Sequence, residues 1–515
     1  MYRHNVLQPE FEDFYLPFGG RLRSDNRWVK LAKMLPWDEI EADYAAQFSD
    51  KGMGAPALSA RIAVGALIIK EMQHLSDEES VEQIRENPYL QYFLGFREYS
   101  DEAPFDPSMY VHFRKRLAPV MARFNDRIIA CAKADSSENK KRKNESDDDH
   151  STPGGGSGSA NQGQLLLDAT CTPADITYPT DLKLLNEARE KTEKIIDKLY
   201  EVVKGKDLAK PRTYRKKARK HYLAAARSRH LVAKKRRRAV GRQIAYVRRN
   251  LNSINMLLEN TQTSLLSLSR YEYKSLLVIN ELHRQQQNMY KNKTCQIDDR
   301  IVSISQPHVR PIVRGKAGAK VEFGAKVAAS LVDGYVRFDH ISWDAMNESR
   351  LLETEVEKYR ERYGGYPESV HVDKIYRNRE NLRFCKERNI RMSGPALGRP
   401  AKVTEENREE LEASKLMARQ DELDRIPVEG KFGQGKRRFG LSRIMAKLAD
   451  TSITAIIIGA VVMNLTRWLK SLFAAFFQTV ERLLDNIIRL LQRRTAISVM
   501  RISMINFRRR WRIGS

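Results

Sequence analysis

A run of three leucines that ends on a carboxylate, Gln164-Leu165-Leu166-Leu167-Asp168-Ala169-Thr170, constrains the fold more than any other stretch of this chain. It has the length and apolarity of a strand buried within a sheet, and Asp168 falls where that strand is expected to leave the core. An ionised carboxylate at such a place is desolvated, so the fold has to offer it a partner. A second stretch repeats the pattern: Val370-His371-Val372-Asp373 is again apolar and again ends on an aspartate.

Between the two lies a hairpin signal. Alternating residues run from Val321 through Leu331 and from Tyr335 to Ile341, joined by Asp333-Gly334, a dipeptide suited to a type I′ turn. Helices are expected from Asn347 to about Arg362 and from about Asn378 to Arg388, with a short strand over Asn389–Ser393. Glu405 to Asp424 reads as a charged helix, after which Pro427 opens another that carries Glu429 in its first turn. Strand, hairpin and strand-helix-strand together give an α/β fold, a mixed sheet flanked by helices.

Charge is concentrated in one segment. The chain of 515 residues carries a formal +26, from 91 Lys or Arg against 65 Asp or Glu. Between Lys204 and Asn250 there are 19 Lys or Arg and a single acid, Asp207, so +18 of that excess is local. Long helices are expected from about Leu182 to Tyr200 and from Pro211 to about Asn288. Aromatic and apolar residues interleave the cations, which fits helices with one packed face and one facing phosphate. Arg215, Lys216, Lys217 and the run Lys234, Lys235, Arg236, Arg237, Arg238 are the candidate contacts, and double-stranded DNA is the expected partner.

The first 130 or so residues read as short helices: Trp37 to Phe48, Leu58 to Met72, one started by Ser76 with Glu79, a break at Asn87-Pro88, and a last one carrying Arg114, Lys115 and Arg116. A helix-turn-helix module and a dimerisation or packing domain fit them equally. From Ala134 to Gly163 the composition turns to Lys/Arg, then Asp, then Gly/Ser, which cannot bury a core and reads as a disordered linker. Ile453 to Leu465 is apolar for about 13 residues, short of the ~20 that span a bilayer. It is expected to pack on the sheet, with Arg508-Arg509-Arg510-Trp511-Arg512 as a basic end. Four cysteines without a CxxC pair argue against a zinc site or a disulfide framework. With no apolar leader-like run near Met1, a cytoplasmic protein is expected.

Asp168 and Asp373 at strand ends and Glu429 on a helix form a set suited to holding two divalent ions about 4 Å apart for phosphoryl transfer, and oxygen ligands favour Mg2+, with Mn2+ as a substitute. Other acids have plainer readings. Asp175 and Asp181 lie in a turn-rich segment, Asp333 is in the hairpin turn, and Asp339 and Asp344 are strand-edge residues. His371 reads as a sheet histidine on the same side of its strand as Asp373.

Three blocks then become specific: Leu166-Leu167-Asp168-Ala169-Thr170; His371-Val372-Asp373-Lys374-Ile375-Tyr376; and Arg425-Ile426-Pro427-Val428-Glu429 continuing to Lys436. They resemble the catalytic blocks of the DDE transposases of bacterial insertion sequences. The last keeps the spacing of that family's Y-x2-R-x3-E-x6-K signature at Arg425, Glu429 and Lys436, with Glu422 where the family has tyrosine. Trp37-Asp38-Glu39-Ile40, Leu75 to Glu79 and Pro88 to Gly95 are similar to the N-terminal domain of the insertion-sequence-five-like group. The resemblance implies a ribonuclease H-like catalytic domain with Asp168, Asp373 and Glu429 as catalytic metal ligands for two ions. It implies that Arg425 and Lys436 contact DNA phosphate; by position Lys436 shares the face of Glu429, while Arg425, before Pro427, falls outside the helix.

The expected organisation is a helical N-terminal DNA-binding or dimerisation domain at 1–133 and a linker at 134–163. The catalytic domain takes 164–184 and 297–450, the basic helical insertion 185–296, and a C-terminal helical segment with its basic tail 451–515. The function implied is cleavage of insertion-sequence ends and their joining to target DNA by a nucleoid-associated homodimer without membrane contact. The alternatives are an inactive transposase-derived DNA-binding protein and a ribonuclease H-like nuclease on RNA or branched DNA.

Overall fold

A computed structural model describes residues 14–16, 20–48, 56–144, 161–204, 209–228, 230, 232–261, 267–313, 321–394, 397–398, 404 and 407–472. Seven helices come first: α1 (Arg27–Met34), α2 (Trp37–Ala45), α3 (Ala60–Gln73), α4 (Asp77–Glu86), α5 (Pro88–Phe93), α6 (Met109–Leu117) and α7 (Met121–Asn144). Their starts follow local chemistry: Ser59 accepts from Ile62, Ser76 from Glu79 and Asn87 from Tyr89, each side-chain oxygen satisfying an N–H that a helix start leaves free. α1, before Trp37, is a helix that pattern reading does not pick out. The expected linker is helical from Ala134 as far as Asn144, because α7 continues through it; 145–160 lie outside the described residues.

The sheet is built from β1 (Gln164–Pro173), then, after the helices α8 (Asp181–Val203), α9 (Arg215–Ala226), α10 (Ala233–Thr261) and α11 (Arg270–Asn292), from β2 (Arg310–Val313), β3 (Val321–Val332) and β4 (Tyr335–Ser342). The helix α12 (Leu352–Tyr363), β5 (Ser369–His371), the helix α13 (Arg379–Glu387) and β6 (Arg391–Met392) follow. β4, β3 and β1 are successively antiparallel, β5 and β6 run parallel to β1, and β2 pairs with the start of β3. The β3–β4 hairpin turns as expected, with Asp333 at φ 52° and Gly334 at φ 78°, both positive as a type I′ turn requires. β1 runs on to Pro173, so Asp168 lies inside the strand rather than at its end, and Thr170 and Thr172 are buried strand residues rather than part of a turn. What ends there is β5, whose pairing with β1 stops at Leu166–His371.

Alternation assigns the two faces. Leu165, Leu167, Val370 and Val372 join α12 and α13 in one apolar cluster, with Val356 and Phe384 among its members. Leu166, Val327, Ala329 and Leu331 face the other way. On that second face lie α14 (Arg408–Arg438) and α15 (Ala449–Leu472), together with the N-terminal helices. α15 is long and apolar enough to span a membrane by length, but its apolar residues are largely buried against the sheet, as expected for this segment. The tail from 473, including Arg508–Arg512, lies outside the described residues.

Two helical expectations change. The single helix from Pro211 to Asn288 is three, because the chain breaks after Ala226 and again before Ser269, whose capping box with Glu272 starts α11. Together with α8 they bury an apolar cluster of their own, Leu185, Ile196, Val247, Leu257 and Ile279 included. Pro427 does not open a helix: α14 runs through it, giving up one backbone bond, and places Arg425 and Glu429 in the same helix.

Candidate active site

Asp168 and Asp373 reach one place because their strands are neighbours in register. Leu166 pairs with His371, and two residues on along each chain come the two acids, on the face that carries α14. Asp373 sits past the end of β5, where its carboxylate accepts from the Lys374 N–H at 2.7 Å and starts a short 3-10 turn, Lys374–Tyr376. Asp168 accepts from the Ala169 N–H at 2.7 Å. Burial pushes the Asp168 carboxyl up to about 6; the Ala169 N–H and Arg425 oppose that, and the charges of Glu348 and Asp373 add to it.

α14 supplies the third acid and a cation. Arg425 reaches Glu429 at 2.9 Å, one helical turn on, and its other nitrogen lies 4.0 Å from Asp168. The guanidinium thus stands between two of the three expected acids, and Arg425 belongs inside the helix, not before it. Lys436 follows on α14 nearly two turns beyond Glu429 and is half-buried.

Other groups border the site without a sequence signal to mark them. Glu348, in the 3-10 turn ahead of α12, acts on Asp168 electrostatically and is held by Lys326 at 2.7 Å. Tyr376 is buried; desolvation, then the charges of Glu348, Asp168, Glu355 and Asp373, push its phenol far up, so it stays protonated. Asp421 precedes Arg425 by one turn of α14. Its carboxylate accepts from Arg391 at 2.7 Å and from the Gly394 N–H at 3.2 Å, and lies 3.7 Å from the fully buried His371 ring. Ser369 takes the other ring nitrogen at 3.0 Å, and burial holds His371 below its ordinary value. His371, Asp421 and Asp424 bring ligand atoms within 4.8 Å of one another, but Arg391 already occupies Asp421.

The remaining acids have partners of their own, although the Asp339 side chain is buried within β4 rather than at a strand edge. Asp175 pairs with Arg443, Asp181 with Arg300 at 2.8 Å and Asp333 with Lys133 at 2.7 Å, while Asp339 pairs with Arg362 at 2.9 Å. Among the candidate DNA contacts, Arg215 is tied to Asp197 at 2.9 Å, and Arg237 lies over the Tyr290 ring and donates to its carbonyl at 2.8 Å. Lys216 lines an open groove on α9 with Arg219, Lys220 and Arg227; Lys217, Lys234, Lys235, Arg236 and Arg238 are exposed. Arg114 at the end of α6 is buried against Asp77 and Tyr110, so in this helix it serves packing.

A family model described as "Transposase DDE domain" matches residues 370–466, which include Asp373, Asp421, Arg425, Glu429 and Lys436 but not Asp168. A second, "Transposase domain (DUF772)", matches residues 17–116, most of α1 to α6. A curated relative, "Uncharacterized protein ORF8 in nfe locus" from Rhizobium meliloti, is 40% identical over 91 residues, 18% of this chain and 43% of the relative. The chain thus spans less than half the length of that relative. No solved structure matches.

Proposed function

Because the chain belongs with the DDE transposases of insertion sequences, we propose that it cleaves the ends of such an element and joins them to target DNA by phosphoryl transfer. The observation that carries this reading is the meeting of Asp168, Arg425 and Glu429 from β1 and α14, with Asp373 in register beside Asp168. The strand order β4-β3-β1-β5-β6, antiparallel up to β1 and parallel beyond, supports a ribonuclease H-like reading of the sheet. On that reading α8 to α11 are an insertion after the first catalytic strand, and the N-terminal helices are the DNA-binding or dimerisation part of a homodimer in the cytoplasm, associated with the nucleoid.

The donor set fits a hard divalent ion: three carboxylates, one of them held by burial in a state that an added positive charge would relieve. Asp168, Asp373 and Glu429 would hold two ions, Mg2+ or Mn2+, which when bound activate the attacking oxygen and stabilise the leaving one. The chain's own residues prepare for the substrate. Arg425 neutralises Asp168 and Glu429 in the absence of DNA, and a phosphate at the cleaved end offers its guanidinium a bidentate partner instead. Lys436 on the same helix and the exposed cations of α9 and α10 supply contacts to the duplex.

The test is a cleavage assay on linear duplex that carries the terminal inverted repeats, with Mg2+ against EDTA. Asp373→Ala is expected to reduce cleavage and strand transfer to background while end binding in a gel-shift experiment stays within about twofold, the residue being exposed and outside the core. Mg2+-dependent cleavage retained by that variant overturns the assignment.

A further inference from the structure

On the side of α14 away from Glu429 lies a second, separate feature. Lys431 follows Glu429 by two residues, about 200° around the helix, and points into a cavity of 790 Å³ between α7, the β3–β4 turn, α14 and α15. Arg467 and Lys470 of α15 border the same cavity. Of the acids nearby, Asp333 lines the cavity too but is paired there with Lys133 at 2.7 Å, and Asp135 accepts from the Trp468 indole at 2.9 Å. Among the described residues no ion pair joins Lys431, Arg467 or Lys470 to a carboxylate.

The arrangement is built rather than incidental. Arg467 lies 5.2 Å over the Tyr335 ring and against Gly334, where a Cβ would collide with its guanidinium. The glycine that the type I′ turn needs therefore also seats this arginine. Lys431 is half-buried with Arg467 and Lys470 beside it, and clustered cations repel one another, a cost that an anion in the cavity offsets.

We propose that this cavity binds a phosphate group through Lys431, Arg467 and Lys470, as a site distinct from the acid cluster on the opposite side of α14. Phosphate suits it better than a carboxylate, because three cations match an anion with several acceptor oxygens and up to two charges. The same chemistry reaches the site as the backbone of a DNA duplex or as free phosphate. Phosphate binding in this cavity does not depend on catalysis at the acid cluster.

Two measurements on the full chain test it, each comparing the parent with Lys431→Met and with Lys470→Gln; the latter is exposed and does not threaten folding. In the first, inorganic phosphate is titrated during thermal unfolding. The parent's Tm is expected to rise with phosphate, whereas Lys431→Met starts at an equal or higher Tm, having lost a buried charge, and does not respond. In the second, affinity for a short duplex without terminal repeats is followed against salt, where each variant is expected to lose about one unit of log-log slope, the contribution of one neutralised phosphate. A lost phosphate response with unchanged slopes identifies free phosphate as the ligand; a lower slope without a phosphate response identifies the DNA backbone. Parent-like behaviour of both variants in both measurements overturns the proposal.

Discussion

Glu355 shows how a buried residue beside the proposed site is set by its surroundings. It sits on α12, 4% exposed, with one carboxylate oxygen bonded to Lys358 at 2.9 Å and the other without a partner among the described residues. Burial, then the charge of Asp339, push its carboxyl up to about 7, with Lys358 opposing. A folded-state value above the unfolded one means that the folded protein holds the proton more tightly, so ionisation destabilises it: the cost is absent at low pH, grows as pH rises above the unfolded value near 4.5, and is complete above about 7. Glu355→Gln is therefore expected to stabilise the protein by on the order of 2 kcal/mol at pH 8 and by well under 1 kcal/mol at pH 5. Urea unfolding at the two values checks this; an equal effect at both refutes it. Nothing in the sequence marks Glu355, one of several acids in a charged helix, as the one driven towards neutrality.

α14 is the element that brings the proposed site together. Asp421, Arg425 and Glu429 recur every four residues and so form one stripe, whose first member docks on Arg391, Gly394 and His371, whose second reaches Asp168, and whose third completes the acid set. Gly435, near the end of the helix, lies so close to Leu441 that a Cβ would come within 2.7 Å of its side chain. Asp421 is thus expected to act as a positioning residue that sets where along the sheet Glu429 arrives. Asp421→Ala is expected to lower the rate of cleavage roughly 10- to 100-fold, the scale of a 1 Å misplacement, with affinity for the DNA end nearly unchanged. Asp421→Asn, which keeps an acceptor for Arg391, is expected to recover part of the loss. Equal rates for the parent and Asp421→Ala, or loss of end binding in step with rate, refute that role. The pairing of Arg425 with Glu429 is visible as an i, i+4 spacing, but Pro427 between them argues locally for a break, and only packing of Val428 and Phe432 into the core keeps the helix whole.

At the scale of the molecule, the linker that separates the N-terminal helices from the sheet in sequence does not separate them in space. Trp28, Leu67, Phe113 and Phe124 belong to the same apolar cluster as Val327, Leu331, Ile456 and Leu465. Asn125 of α7 and Asn464 of α15 bond to each other at 2.8 Å, and both donate to the carbonyl of Val336 in β4. A fragment of residues 161–472 is accordingly expected to expose that apolar surface and aggregate, and co-expression with residues 1–144 to restore a soluble species. Size-exclusion chromatography reads the result, and a monodisperse fragment with a cooperative melt refutes it.

The sequence by itself determined what is local: the helix starts at Ser59, Ser76 and Asn87, the turn at Asp333-Gly334, and the apolar strands that lead to Asp168 and Asp373. Each of these depends on backbone chemistry or alternation within a few residues, which a linear reading contains. Tertiary structure alone decided that β1 continues beyond Asp168 while β5 stops beside it, that α14 passes through Pro427, and that Arg425 bridges acids far apart in the chain. It also decided how single cations are held, since Arg215 and Arg237 look like their neighbours in sequence yet are tied to Asp197 and Tyr290. The physical reason is the same throughout: pairing of strands, burial and ion pairing are set by the groups that arrive from elsewhere in the chain, and these outweigh local propensity where the two differ.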